Sequence, residues 1–266
     1  MHKLGIRPRS FVVLGEEARL EAAAGVLVGG GYERLGHGQI AAAELALLGV
    51  PVRTLEPWRE ALAQLAPQSW LFAGALSSAA REQAAQYPLR VVDYMESEEL
   101  ALFNAVPTAE GALAILLGAT TGTLWRAEVI LVGYGRIARV LAPRLRALGA
   151  RVTVAARDPK ARMQAQTMGD EAADIVCLPQ LAAHAAIVIN TVPHPVVDAT
   201  VRAALPDGAF VLELAGSPGG GDLAAAQRLG VRVQCAPGLP GIYAPVAAGE
   251  AIGRTVLAFM RHTQPM

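Results

Sequence analysis

From Glu128 onward, apolar runs of strand length alternate with amphipathic stretches. EVILVG is followed by RIARVLAPRLRAL and RVTVAA by DPKARMQAQTMG, and then come DIVCL, AIVIN, AFVLEL and VRVQC, each ending in a turn or a helical stretch. Short, nearly all-apolar strands separated by helices are what a parallel sheet covered on both faces requires, because neither face meets water. The pattern predicts an α/β fold with a C-terminal doubly wound Rossmann domain. The N-terminal half carries a fainter version, with strands expected at Ser10–Gly15, Val50–Leu55, Ser69–Gly74 and Leu89–Tyr94. Helices are expected at WREALAQLA and SSAAREQAAQ, the latter capped by Ser77 or Ser78. This half reads as a smaller α/β domain with its own parallel sheet.

Two segments interrupt the pattern. Val26–Gln39 is glycine-rich and reads as a mobile loop, since glycine weakens regular elements. Ser97–Thr120 reads as two helical pieces broken near Pro107, which has no N–H to donate. The expected organisation is an N-terminal domain over 1–96, a connecting helix over 97–126 and a NAD(P)-binding domain over 127–266. The C-terminal helix would pack back on the first domain, and a cleft between the domains would offer a small-molecule site.

Composition narrows the function. The 266 residues are 53% hydrophobic and 17% charged, so the chain has the apolar surface to fold. Its 23 basic and 23 acidic residues leave no excess field for phosphate backbones or anionic membranes, which excludes a general nucleic-acid binder. The uncharged stretch from Gln180 to Val197 carries two histidines, an asparagine and two prolines, unlike a lipid-facing helix. MHKLGIRPRS lacks the apolar core of a signal peptide. A cytoplasmic protein is expected, with Cys177 and Cys235 as buried free thiols. No His/Cys/Asp cluster has metal spacing, so no metal site is expected.

The strongest local motif is Gly133-Tyr134-Gly135-Arg136-Ile137-Ala138, directly after one strand and opening a helix. The first glycine permits the tight turn, the second lets backbone approach a pyrophosphate, and Ala138 allows close helix–sheet packing. The free N–H groups of the helix start would face the phosphates. Arg157 ends the next strand, where an NAD site usually carries an acidic residue and an arginine suits the 2′-phosphate of NADP. The neighbouring Asp158 either reads the ribose or caps the next helix. Asn190-Thr191-Val192-Pro193 closes a later strand, and Glu213-Leu214-Ala215 with the glycines after it closes another. Both strand ends face the same side as Gly133 and are candidates for cofactor contact. Pro237-Gly238-Leu239-Pro240-Gly241 follows the last strand. His194, just after the NTVP turn, is a candidate general acid or base, and Glu110, beside Thr108, is a candidate for catalysis or for capping.

Taken in order and spacing, NAVPTAEGA, GYGRIA, GARVTVAAR, NTVP, ELAGSPGGGD and APGLPGIYAP resemble the dipicolinate synthase A-subunit family, from about Asp93 to the C-terminus. The resemblance implies oxidation of a dihydrodipicolinate-level precursor to pyridine-2,6-dicarboxylate in sporulating bacteria. NADP or NAD would be the hydride acceptor, and a flavoprotein-like second polypeptide, the dipicolinate synthase B-subunit, the partner. It also implies that Gly133, Gly135, Arg136 and Ala138 hold the pyrophosphate, and that Thr191 and Pro193 border the nicotinamide. Thr108, Glu110, Ser217 and Pro237–Gly241 would then line the site of a small dicarboxylate. The sequence departs from the family's Ala-Ser-x-Pro-Gly-Gly by reading Ala215-Gly216-Ser217-Pro218. Homo-oligomerisation is expected on general grounds. The residues alone leave two alternatives: a non-catalytic NADP(H)-binding sensor or partner protein, and another small-acid dehydrogenase of shikimate or 2-hydroxyacid type.

Overall fold

A computed structural model of the chain describes residues 9–120, 122–215 and 231–263. The chain divides into two compact units, Met1–Phe103 with Ala244–Met266, and Asn104–Tyr243.

The first unit is built on five parallel strands: β1 (Ser10–Leu14), β2 (Glu33–Arg34), β3 (Leu45–Leu48), β4 (Trp70–Ala73) and β5 (Arg90–Asp93), in the order β2-β1-β3-β4-β5. Helices α1 (Ala18–Gly29), α2 (Arg59–Gln64) and α3 (Ser78–Ala84) connect them, and Ser77 caps α3 by accepting from the Ala80 amide. Helix α4 (Glu98–Ala119) then carries the chain into the second unit.

Three expectations for this half need correction. The strand placed at Val50–Leu55 lies earlier, at Leu45–Leu48. Those four residues are fully buried between β1 and β4, as a central parallel strand demands, whereas Pro51 has no amide for a ladder. Val26–Gln39 is not a mobile loop. It finishes α1, forms the edge strand β2, and begins a 3-10 turn at His37–Ala42, with Tyr32, Leu35 and Ile40 buried. The glycines there end a helix. Finally, α4 is one continuous helix with Pro107 inside it. Buried Ala105, Ala109 and Ala112 surround the proline, and packing outweighs the lost backbone bond. This helix is long and apolar enough to cross a membrane by length and composition, yet half of its most apolar window is buried within the protein.

The second unit holds six parallel strands: β6 (Glu128–Val132), β7 (Arg151–Ala156), β8 (Glu171–Asp174), β9 (Ile187–Asn190), β10 (Phe210–Glu213) and β11 (Arg232–Cys235), in the order β11-β10-β9-β6-β7-β8. This is the doubly wound Rossmann order, with its reversal between β6 and β9. Helices α5 (Arg136–Ala147), α6 (Pro159–Thr167), α7 (Leu178–Ala182), α8 (Ala199–Ala204) and α9 (Leu239–Tyr243) belong to this unit. Here the expected strand at DIVCL shifts back to Glu171–Asp174, because Asp174 accepts from the Val176 amide and turns Ile175–Cys177 into a 3-10 turn. As an edge strand, β8 needs no apolar run. Both cysteines are free and exposed, contrary to the burial expected of them: Cys177 sits in that turn and Cys235 ends the opposite edge strand.

The chain returns to the first unit through α10 (Pro245–His262), which lies along α1. Gly249 and Gly253 make that approach close. A Cβ on Gly253 would lie 2.7 Å from the Ala23 carbonyl and from Val26, and one on Gly249 would run into the Arg19 carbonyl.

Candidate nicotinamide-coenzyme site at the sheet reversal

The site starts where β6 ends. Gly133 takes a φ of +87°, which L side chains rarely adopt, and its amide donates to the Ala155 carbonyl at 2.9 Å. A Cβ there would lie 2.7 Å from a Val192 methyl and 2.8 Å from the Thr191 hydroxyl. The position therefore demands glycine twice over, by backbone angle and by space. Gly135 is the N-cap of α5 with no side-chain cap, and space is open where its Cβ would stand. The start of α5 thus has no side-chain cap from Gly135, and the positive end of the helix dipole lies there. Ala138 is fully buried, which seats the first turn of α5 on the sheet core.

The turn opens onto a cavity of about 530 Å³ lined by Gly133, Gly135, Ala156, Arg157, Val192 and His194, among others. That volume suits a ligand of coenzyme-fragment size. Arg157 is exposed at the end of β7, and Asp158 caps α6 by accepting from the Lys160 amide at 2.9 Å. The Asp158 carboxylate is therefore engaged in helix capping, while Arg157 and Arg139 bring cationic side chains to the cavity. Arg136 is exposed on the first turn of α5, and Ile137 is half-buried against the core.

Tyr134, between the two glycines, turns its ring into the core, and its hydroxyl donates to Asp170 at 3.4 Å. Asp170 is in turn paired with Arg146. Burial pushes the Asp170 carboxyl up, while the Arg146 charge pulls it back. Burial likewise raises the Tyr134 phenol, and the Asp170 charge adds to the rise. Tyr134 anchors the glycine turn from beneath. Arg139 does so from above, its Nε donating to the Tyr134 carbonyl at 3.1 Å with its guanidinium over the Tyr134 ring.

The other predicted residues divide between the cavity and its support. Val192 and His194 line the cavity, and Pro193 between them is exposed. Thr191 is tied back, its hydroxyl donating to the Val132 carbonyl at 2.8 Å. Asn190 is fully buried and its amide is spent inside the protein, so it supports the NTVP turn from behind. Glu213 is 2% exposed and accepts from Asn190, and Leu214 is buried beside it. Burial raises the Glu213 carboxyl, with the Asn190 hydrogen bond and the Arg202 charge opposing. Ala215 is the last described residue of its stretch, and Ser217 lies outside the described residues.

Of the residues expected on the substrate side, Thr108 is buried and its hydroxyl donates to the Asn104 carbonyl at 2.6 Å, back along α4. Glu110 is exposed on the same helix. Gly238 takes a φ of +73° in the turn begun by Pro237, and Leu239, Pro240 and Gly241 open α9. The structure brings α4 and α9 together: a Cβ on Gly111 would lie 2.7 Å from the Tyr243 ring and 3.1 Å from Leu239. Sequence reasoning missed Arg139, Ala161, Ile175 and Val196 around the cavity, for they belong to no motif.

Comparison with known proteins agrees with this geometry. Residues 118–215 match the family described as the NAD binding domain of D-isomer specific 2-hydroxyacid dehydrogenases, so this unit carries a nicotinamide-coenzyme domain of dehydrogenase type. Over 194 residues the chain is 30% identical to the dipicolinate synthase A-subunit of Bacillus subtilis (strain 168), a match spanning 73% of this chain and 65%, just under two thirds, of that relative. The crystal structure of the dipicolinate synthase A-subunit from Bacillus halodurans superposes with a TM-score of 0.88 at 26% identity, covering 97% of this chain and 98% of that one. The chain is similar to the dipicolinate synthase A-subunit. Apo D-lactate dehydrogenase from Escherichia coli shares the fold, with a TM-score of 0.64 at 15% identity over 97% of this chain and 98% of that one.

Proposed function

We propose that the chain is an oxidoreductase that forms dipicolinate from a dihydrodipicolinate-level precursor, with NADP as the preferred coenzyme and NAD as the weaker one. The observation that carries this reading is the Gly133 turn: an uncapped helix start and a demanded glycine at the sheet reversal, in a chain similar to the dipicolinate synthase A-subunit. NADP, when bound, supplies the acceptor for a hydride. The remaining work falls to the chain's own residues.

The amides from Gly133 to Ala138 hold the pyrophosphate, with Arg136 adding a cation. Arg157 holds the 2′-phosphate, a charge-assisted contact that NADH would not offer. Val192 and Pro193 border the nicotinamide. On the substrate side, Thr108, Ser217 and Pro237–Gly241 receive a flat dianion. Loss of a hydride and a proton from a dihydropyridine makes an aromatic ring, so positioning matters more than a strong base. His194, exposed at the cavity rim, and Glu110, exposed on α4, are the two candidate proton acceptors. A flavoprotein-like B-subunit is the proposed partner, the chain self-associates, and the setting is the cytoplasm of a sporulating bacterium.

The test is incubation of the chain with freshly generated dihydrodipicolinate and NADP. Dipicolinate and reduced coenzyme should appear in equal amounts. Coenzyme binding without product, both with and without the B-subunit, would instead identify the protein as a sensor or non-catalytic partner.

A further inference from the structure

Beneath the NTVP turn lies a buried polar pair, Asn190 and Glu213, whose side chains face each other inside the protein and for which no step above has a use. Glu213 ends β10 directly beside Asn190, which ends β9, and the two are opposite each other in the ladder. Both are buried, Asn190 at 0% and Glu213 at 2% exposure, at the end of a strand whose other residues are apolar and buried. The Asn190 amide makes three bonds. Its Nδ2 donates to Glu213 Oε2 at 2.7 Å and to the Val192 carbonyl at 3.1 Å, and its Oδ1 accepts from the Val192 amide at 2.9 Å. Among the described residues, Glu213 Oε1 is buried with no hydrogen-bond partner.

A buried carboxylate with one unpartnered oxygen costs folding free energy, and a leucine would fill the same strand end without that cost. The carboxylate gives what leucine cannot: an acceptor that ties the Asn190 amide to β10. Asn190 then holds Val192 by both of its backbone groups. Val192 in turn lines the coenzyme cavity and stands 2.7 Å from where a Cβ on Gly133 would be. The order of support is Glu213, Asn190, Val192, cavity wall.

We propose that Glu213 is a positioning residue for the coenzyme, acting through Asn190 to fix the Val192 wall against the Gly133 turn. The inference deepens the coenzyme reading above and rests on it. Toward Asn190 the property used is hydrogen-bond acceptance, while the Arg202 charge faces the same carboxyl, so Glu213→Gln should preserve the Asn190 link. Glu213→Asp keeps the charge but is one methylene too short to reach Asn190.

Two readouts test this on the full chain. The first is amide hydrogen exchange across residues 190–193 without coenzyme, where Glu213→Asp should speed exchange at Val192 by about ten-fold and Glu213→Gln should leave it near the parent. The second is NADPH binding by fluorescence titration, where Glu213→Asp should weaken affinity about ten-fold and Glu213→Gln by no more than about two-fold. Adding Glu213→Asp to Asn190→Leu should weaken binding no further than Asn190→Leu alone, since both cut one chain of support. Parent-like exchange and affinity in Glu213→Asp, equal losses in the Gln and Asp variants, or additive losses in the double variant would overturn the assignment while leaving the coenzyme site standing. A parent protein that binds neither NADPH nor NADH would overturn both.

Discussion

Gly133 meets two independent demands, a φ of +87° and neighbours at 2.7 and 2.8 Å from any added Cβ; the first was legible in the strand–glycine–helix spacing, the second was not, because Thr191 and Val192 come from a distant strand end. The place of Arg157 on the cavity was legible too, since it is counted along the chain from the glycines. It carries a prediction: Arg157→Ala should weaken NADPH binding by roughly ten- to a hundred-fold, the value of a charge-assisted contact, with little change for NADH. Parallel titrations with both coenzymes measure it, and equal losses would remove the preference for NADP. The pairing of Glu213 with Asn190 was not legible, because the partners lie 23 residues apart and meet only through ladder register. Burial raises the Glu213 carboxyl above its usual 4.5, so the native state binds a proton more tightly than the unfolded chain does. Stability from this group is therefore full below that value and is lost as pH rises through the native pKa. Denaturant midpoints of the parent should fall relative to Glu213→Gln as pH is raised above about 4.5, and a constant difference across pH would contradict the shift.

Among the elements, α1 and α10 meet through glycines where side chains would separate them. Gly249→Val should place methyl groups into the Arg19 carbonyl and Ala22, at a cost of about 1–3 kcal/mol read as a lowered denaturant midpoint. An unchanged midpoint would mean the helices part without penalty. That contact joins segments some 230 residues apart and has no local signature, whereas the strands of the second unit announced themselves as apolar runs bounded by turns. The misplaced elements share a physical reason. Leu45–Leu48 is a buried strand with no alternation, and the neighbouring Val/Thr-containing run with a proline carries a competing strand signal. The glycines of Val26–Gln39 close a helix and start an edge strand, and glycine alone does not separate that role from a loop. Pro107 stays inside α4 because burial of its alanine neighbours outweighs a missing backbone bond, a balance set by packing and invisible to propensity.

At the scale of the molecule, each unit is a parallel sheet with its own buried cores, and the chain enters the second unit at Asn104 and leaves it at Tyr243. The fold class was readable because apolar runs separated by helices admit few alternatives. The approach of α4 at Gly111 to Leu239 and Tyr243 was not, since those segments come together with no pattern of their own. The central proposal is that the Gly133 turn receives a coenzyme pyrophosphate. The most direct measurement is equilibrium titration of the parent chain and of Gly133→Val with NADPH. Saturable binding by the parent, weakened at least about ten-fold in a variant that remains folded, is the expected result. A parent that binds neither NADPH nor NADH, or a Gly133→Val chain that binds as tightly as the parent, would contradict it.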